Sequence, residues 1–309
     1  MGAAPGLAAL RAGGKPALAR ALAQIERFPD RPDTLELLAA AYADPLAQVL
    51  GVTGPPGVGK STLLGALIRE YRQQGLTVGV IAVDPSSRRS GGALLGDRTR
   101  LDTDPADDGI FVRSMAARDR LGGLAAISYA AMILMRALYD RVILETVGVG
   151  QSETDVAGVA DTVLFCVQPG SGDSLQFMKA GIAEIPHVIA VTKADMTEAA
   201  GRAVADVTGA LGLAEAVPDG WAVPVLAVSA RTGVGITALL TALDAHTAHL
   251  RPVLAGQRHA QAETWLHHAL RERWGTHGLA CAGTITLPAG EAPFRRLSAY
   301  DCAAIFKHP

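Results

Sequence analysis

An apolar run, QVLGV at residues 48 to 52, leads through TGPPG into VGKS, and TLLGALIREYR follows at once. No other stretch constrains the chain so strongly. Gly54, Gly59, Lys60 and Ser61 fill the pattern G-x-x-x-x-G-K-[ST] between a strand and a helix. Glycines let successive backbone N–H groups point into one concavity, and a helix N-terminus adds positive potential there. The run Gly54, Pro55, Pro56, Gly57, Val58, Gly59, Lys60, Ser61 and Thr62 is therefore expected to cradle nucleotide phosphates. Lys60 is expected to reach the β and γ phosphates, and Ser61 to ligate Mg²⁺. Pro55 stands where the partition-ATPase variant of this loop carries a second lysine, which disfavours that subclass.

A phosphate loop of this kind sits at the end of a buried strand, and the rest of the chain supplies a sheet. VGVIAV (78 to 83), RVILE (141 to 145), TVLFCV (162 to 167), HVIAV (187 to 191) and VPVLAV (223 to 228) are short apolar runs rich in Val and Ile, and IFV at 110 to 112 offers a seventh strand. Between them lie helix-length stretches at 61 to 73, 121 to 139, 175 to 184, 197 to 211 and 236 to 249. The alternation predicts an α/β fold, a P-loop NTPase whose mostly parallel sheet is covered by helices on both faces. Ahead of it, Leu7, Leu10, Leu18, Leu22 and Ile25 draw an apolar stripe along a helix over 7 to 27, with a second helix over 33 to 43. Behind it, the pattern from Arg258 to Trp274 places Trp265, Leu266, Leu270 and Trp274 on one side of a helix. TITL at 284 to 287 fits a strand and LPAGEAP a loop. The expected division is thus a helical N-terminal arm (1–45), a P-loop domain (46–250) and a C-terminal helical extension with an irregular tail (251–309).

Composition narrows the function classes. With 49% hydrophobic and 19% charged residues the chain is globular. A net charge of −2 leaves no electrostatic footprint for tracking a phosphate backbone, so nucleic acid is not an expected partner. AAISYAAMILM, 125 to 135, is closed by Arg136 and falls short of the ~20 apolar residues that a membrane crossing needs, so no membrane partner is expected either. Cys166, Cys281 and Cys302 are odd in number and form no CxxC, which fits a reducing cytoplasm. Seven of the eight histidines fall at or after His246, but HTAH has no Cys or carboxylate at ligand spacing, so no metal site is expected there.

Two further motifs carry nucleotide chemistry. ETVG follows the strand RVIL, so Glu145 stands at a strand's C-terminal end with Gly148 three residues on. Its carboxylate can hold Mg²⁺ through water while the Gly148 N–H approaches a γ-phosphate. HVIAV leads into Thr192, Lys193, Ala194 and Asp195, and VPVLAV into Ser229 and Ala230. This order selects guanine. A carboxylate at Asp195 accepts from guanine N1–H and the 2-amino group, whereas adenine offers a lone pair at N1 and no 2-amino group. The Lys193 stem can cover the base and the Ala230 N–H can donate to O6. Such a site discriminates because the wrong base leaves buried groups unpaired. Thr192 holds the place where Asn is usual and is too short for the same amide contacts. Asp84, ending VGVIAV, and Asp97, in SGGALLGDRTR, lie near the phosphate end as candidates for the Mg²⁺ shell or for orienting the attacking water.

GPPGVGKSTLLGAL, VDPSSRRSGGALLGDRTR, RSMAARDRLGGLA, ETVGVGQSE, QPGSGDSLQFMKAGIAEIP and TKAD together resemble the MeaB/ArgK-type GTPases, over about Leu10 to Thr276. That resemblance implies a homodimer that hydrolyses GTP to GDP with Mg²⁺. It implies service to an adenosylcobalamin-dependent acyl-CoA mutase such as methylmalonyl-CoA mutase, by gating cofactor loading and protecting the enzyme, with no cobalamin bound by this chain. It makes Lys60, Asp97 and Glu145 the catalytic residues and Ser61, Asp84, Asp97 and Glu145 the metal set. Gln151, Asp173 and Lys179 become switch or coupling positions. Three features depart from the family pattern: Thr192, IPH at 185 to 187, and the tail after Gly278. The alternative on the same fold, an ATP-dependent small-molecule or transport-associated kinase, is opposed by TKAD and the SA loop. Val149 follows Gly148 where small G proteins carry a water-orienting glutamine, so slow unassisted turnover is expected.

Overall fold

The computed structural model describes residues 6–85, 101, 103–117, 126–146, 156–170, 185–212 and 220–300. The chain forms two compact units. One comprises Gln48–Leu124 and Arg141–Pro252, and the other Met1–Ala47, Ala125–Asp140 and Val253–Pro309.

The first unit is built on a seven-stranded sheet: β1 (Gln48–Thr53), β2 (Val78–Pro85), β3 (Ile110–Ala117), β4 (Arg141–Glu145), β5 (Thr162–Val167), β6 (Val188–Val191) and β7 (Val225–Ala227). The spatial order is β3-β2-β4-β1-β5-β6-β7, and every pairing is parallel. The IFV run is therefore a true strand, paired with β2 along its length. Because side chains alternate across a pleated strand, β5 feeds two cores. Leu164 and Cys166 join Leu63, Leu67 and Ile68 of α3 (Lys60–Gln73) and Leu239 and Leu243 of α6 (Ile236–Leu250). Phe165 and Val167 face the other way, onto Ala200, Ala203 and Val207 of α5 (Thr197–Leu211). Burial on both faces explains why these strands read as continuous apolar runs rather than as alternating ones.

The second unit is helical: α1 (Leu7–Arg27), α2 (Pro32–Ala43), α4 (Ala126–Arg136), α7 (Leu254–Cys281) and α8 (Pro293–Ala299). Of the stripe expected on the first segment, Leu10, Leu18, Leu22 and Ile25 are buried at 1–2% exposure, and Leu7 is half-buried. Tyr129 of α4 stacks on Trp265 of α7 at 4.9 Å, and Phe294 of α8 closes on Trp265 at 4.9 Å. The tail corrects one expectation. TITL forms no strand; instead the Leu287 N–H donates to Glu263 Oε1 at 3.0 Å and the Leu287 side chain is buried. The residues after it turn into α8, which a single buried Phe anchors. The chain kinks within α7 at Gly275 (φ 70°), one residue beyond where the apolar pattern stops at Trp274. The expected helix over 175 to 184 lies outside the described residues, as does the 121 to 125 start of the expected helix that α4 fills.

Candidate nucleotide site

In a parallel sheet all strand C-termini emerge at one edge, where ligands bind in open α/β folds. β1 ends there in the Gly54–Ser61 loop, β4 in Glu145, β5 in Gln168, β6 in Thr192–Asp195 and β7 in Val228–Ser229. Residues separated by up to 175 positions in sequence thus share one edge.

The phosphate loop has the backbone that its glycines imply. Gly54, Gly57 and Gly59 hold φ of 135°, 74° and 100°. Gly54 is also required by space: a Cβ there would stand 2.2 Å from the Cys166 carbonyl oxygen on β5. Gly59 caps α3, and its carbonyl accepts the Leu63 N–H at 3.0 Å. Lys60 folds back over the loop, donating to Gly54 O at 2.7 Å and Pro55 O at 3.0 Å. Its ammonium therefore lies inside the loop's own curve, where phosphate oxygens would replace those carbonyls.

Ser61 and Glu145 meet, Ser61 Oγ donating to Glu145 Oε1 at 2.8 Å. The register explains why: Val52 of β1 pairs with Glu145 of β4, so the carboxylate sits beside the strand that launches the loop. A hydroxyl and a carboxylate are hard oxygen donors of the kind Mg²⁺ takes. Thr146 continues the junction, its hydroxyl donating to Thr53 Oγ1 at 2.9 Å. The backbone of Asp84 ends β2, next to β4, at the same edge. Asp97, Gly148, Gln151, Asp173 and Lys179 lie outside the described residues.

The residues expected to read the base converge. Ser229 Oγ donates to Asp195 Oδ1 at 2.9 Å and Arg231 Nη2 to Oδ2 at 2.9 Å. The Ser229 hydroxyl, with the local backbone and then the Arg231 charge behind it, holds the Asp195 carboxyl below the usual carboxylate range. Lys193 takes φ 55°, the only positive value at a non-glycine among the described residues. Its ammonium donates to Gln168 Oε1 at 2.5 Å and to Gly57 O at 3.3 Å, so its stem runs from the base loop to the phosphate loop. Thr192, the first residue after β6, is buried. Its hydroxyl lies 2.7 Å from Val58 O in the phosphate loop and 3.0 Å from Val167 O on β5, tying three segments together.

The sequence profile of the methylmalonyl-CoA mutase-associated GTPases, MeaB type, matches residues 18–280. The chain belongs to this family. A Pyrococcus horikoshii protein that carries a GTPase name is 46% identical over 203 residues, 65% of this chain and 64% of that one. The mitochondrial methylmalonic aciduria type A homolog of Mus musculus is 36% identical over 233 residues, 74% of this chain and 56% of that protein. A solved structure described as a LAO/AO transport system kinase superposes with a TM-score of 0.69 at 30% identity, covering 95% of both chains. As a member of a GTPase family the chain is an enzyme.

Sequence reasoning did not find three parts of this site. Arg231 follows the SA pair and meets Asp195 only because the β7 loop turns back, with Ser229 N–H on Val234 O and Gly233 N–H on Ser229 O. Gln168 was visible as the first residue after β5, yet nothing in its spacing pointed to Lys193. Cys166 stands in the apolar run TVLFCV with no motif to mark it. It is wholly buried, burial pushes its thiol up to about 12, and its carbonyl is the wall against which Gly54 packs. No helix among the described residues is long and apolar enough to cross a membrane.

Proposed function

We propose that the chain hydrolyses GTP slowly on its own, as a cytoplasmic homodimer, and that an adenosylcobalamin-dependent acyl-CoA mutase accelerates it. In this reading GTP and GDP states gate delivery of the cobalamin cofactor to the mutase and protect the loaded enzyme. The observation that carries the nucleotide half is the convergence of Lys60, Ser61, Glu145, Thr192, Lys193, Asp195 and Ser229 on one sheet edge. The mutase half rests on family membership, supported by a mouse relative named for methylmalonic aciduria.

Each group then has a task. Asp195 accepts from the guanine N1–C2–N2 edge, the Lys193 stem covers the base, and the Ala230 N–H faces O6. The loop amides from Gly54 to Thr62 hold the phosphates, and Lys60 exchanges loop carbonyls for phosphate oxygens. Ser61 would hold Mg²⁺, with Glu145, Asp84 and Asp97 completing its shell through water. When bound, the ion neutralises charge between the β and γ phosphates. The Gly148 N–H senses the γ-phosphate, and Gln151, Asp173 and Lys179 carry its presence to the partner.

The test is phosphate release by the purified protein with and without candidate mutases. Stimulation of at least about tenfold by one mutase supports the reading. Asp173→Ala or Lys179→Ala should then keep GTP affinity within about threefold while removing most of that stimulation, because nucleotide and partner bias one shared element. Fast basal turnover that no mutase changes, or tighter ATP than GTP binding, would refute it.

A further inference from the structure

Asp195 is the acceptor on which the guanine reading rests, and in this structure both of its oxygens are engaged. The two donors differ in kind. Ser229 is 1% exposed, and its backbone N–H and C=O are both fixed within the β7 loop. The Arg231 side chain is 77% exposed, and among the described residues its contact with Asp195 is its one hydrogen bond and ion pair. Ser229 is built into the site, whereas Arg231 can leave it for water with little loss.

The chemistry of the Arg231 head group is the informative part. The N1–C2–N2 edge of guanine is itself a guanidine unit, a planar carbon bearing two N–H donors side by side. A guanidinium offers a carboxylate the same planar donor pattern, which neither a lysine ammonium nor a hydroxyl can reproduce. Arg231 places one donor of that pattern, Nη2 at 2.9 Å from Asp195 Oδ2, where one of the two guanine N–H groups would lie, while Ser229 Oγ donates to Oδ1.

We propose that Arg231 is an internal stand-in for guanine, pairing with Asp195 in the nucleotide-free protein and withdrawing to solvent as the base edge arrives. The contact keeps the carboxylate aimed and partnered while no nucleotide is bound, and it makes base entry an exchange rather than a simple docking. It is a positioning residue that regulates nucleotide association. This inference rests on the guanine reading of Asp195.

Stopped-flow association and dissociation of a fluorescent GDP, with wild type and Arg231→Ala, tests it. An exposed pair of this kind shifts an equilibrium by at most about fivefold. Arg231→Ala should therefore bind GDP about two- to fivefold faster, with an unchanged dissociation rate and unchanged thermal stability. The ratio of the two association rates should fall toward one as salt rises from about 0.05 to 0.5 M, because the pair is screened. Arg231→Lys should lie between the two. Faster dissociation with an unchanged association rate would mean that Arg231 rests on the bound base, and no change in either rate would mean that the contact does nothing; both outcomes overturn the proposal. The guanine reading is checked separately with Asp195→Asn. That variant should lose GTP and gain XTP, whose 2-carbonyl accepts from the amide. If it does so while Arg231→Ala fails, only the stand-in role falls. If wild type does not prefer GTP to ATP, the guanine reading itself falls.

Discussion

Replacing Thr192 by Val removes one hydroxyl from the place where three segments of the site meet, and almost nothing else. The two side chains have nearly the same shape, so no cavity opens and no cavity cost is added. The single hydroxyl proton serves either Val58 O at 2.7 Å or Val167 O at 3.0 Å, so one hydrogen bond is lost, not two. Val167 O retains a donor, since it also accepts the Thr192 backbone N–H at 2.8 Å. The loss falls on Val58, which is wholly buried in the phosphate loop. A buried carbonyl deprived of its donor costs about 1–3 kcal/mol. Bound phosphates would order the loop in either protein, so the deficit should reappear as weaker binding. A total of about 1–2 kcal/mol divides between the two states: the part that the free loop cannot relax lowers the melting point, by up to about 2–8 °C, and the remainder raises the GDP dissociation constant, by up to about five- to thirtyfold. Calorimetric titration with GDP and a thermal scan of the free protein give both numbers, and Thr192→Ser, which keeps the hydroxyl, should stay within about twofold of wild type. A Thr192→Val protein that binds GDP within twofold of wild type and melts at the same temperature would show that the hydroxyl does not hold the loop.

Gly54→Ala should damage the fold as well as the site. The added Cβ would stand 2.2 Å from a carbonyl of a central strand at a φ of 135°, and strain with overpacking amounts to about 2–6 kcal/mol; a melting point within about 2 °C of wild type would contradict the close approach. The lowered Asp195 pKa gives a pH test. A carboxylate whose pKa is depressed stays ionised above that value and loses its charge only as pH falls through it, so the preference for GTP over ITP should stay constant from about pH 8 down to about pH 5. Comparing the two nucleotides cancels the ionisation of their phosphates, and a preference that fades by pH 6 would mean that Asp195 is not the reader of the 2-amino group.

The sequence by itself determined everything local to a motif. GPPGVGKS set the loop backbone, because glycine adopts the positive φ values at 54, 57 and 59 without the cost that a side chain would add. The apolar runs set the strands, since a strand buried on both faces has no polar face to interrupt it, and β3 was legible from three residues for that reason. TKAD and SA named the candidate base readers. What the sequence left open were contacts that depend on register and on loop paths. That Ser61 touches Glu145 follows from β1 pairing with β4 rather than with β2, a choice among equally apolar neighbours. That Thr192 reaches Val58 follows from β6 ending level with the phosphate loop across β5. The turn after β7 brought Arg231 to Asp195, and packing against Trp265 made a helix of a tail whose own seven residues carry too little periodicity to announce one. Motif chemistry is encoded in spacing along the chain, so it can be read there. Partnership between distant side chains is fixed by where the sheet sets each strand end and by how loops and helices then pack, and only the folded structure decides it.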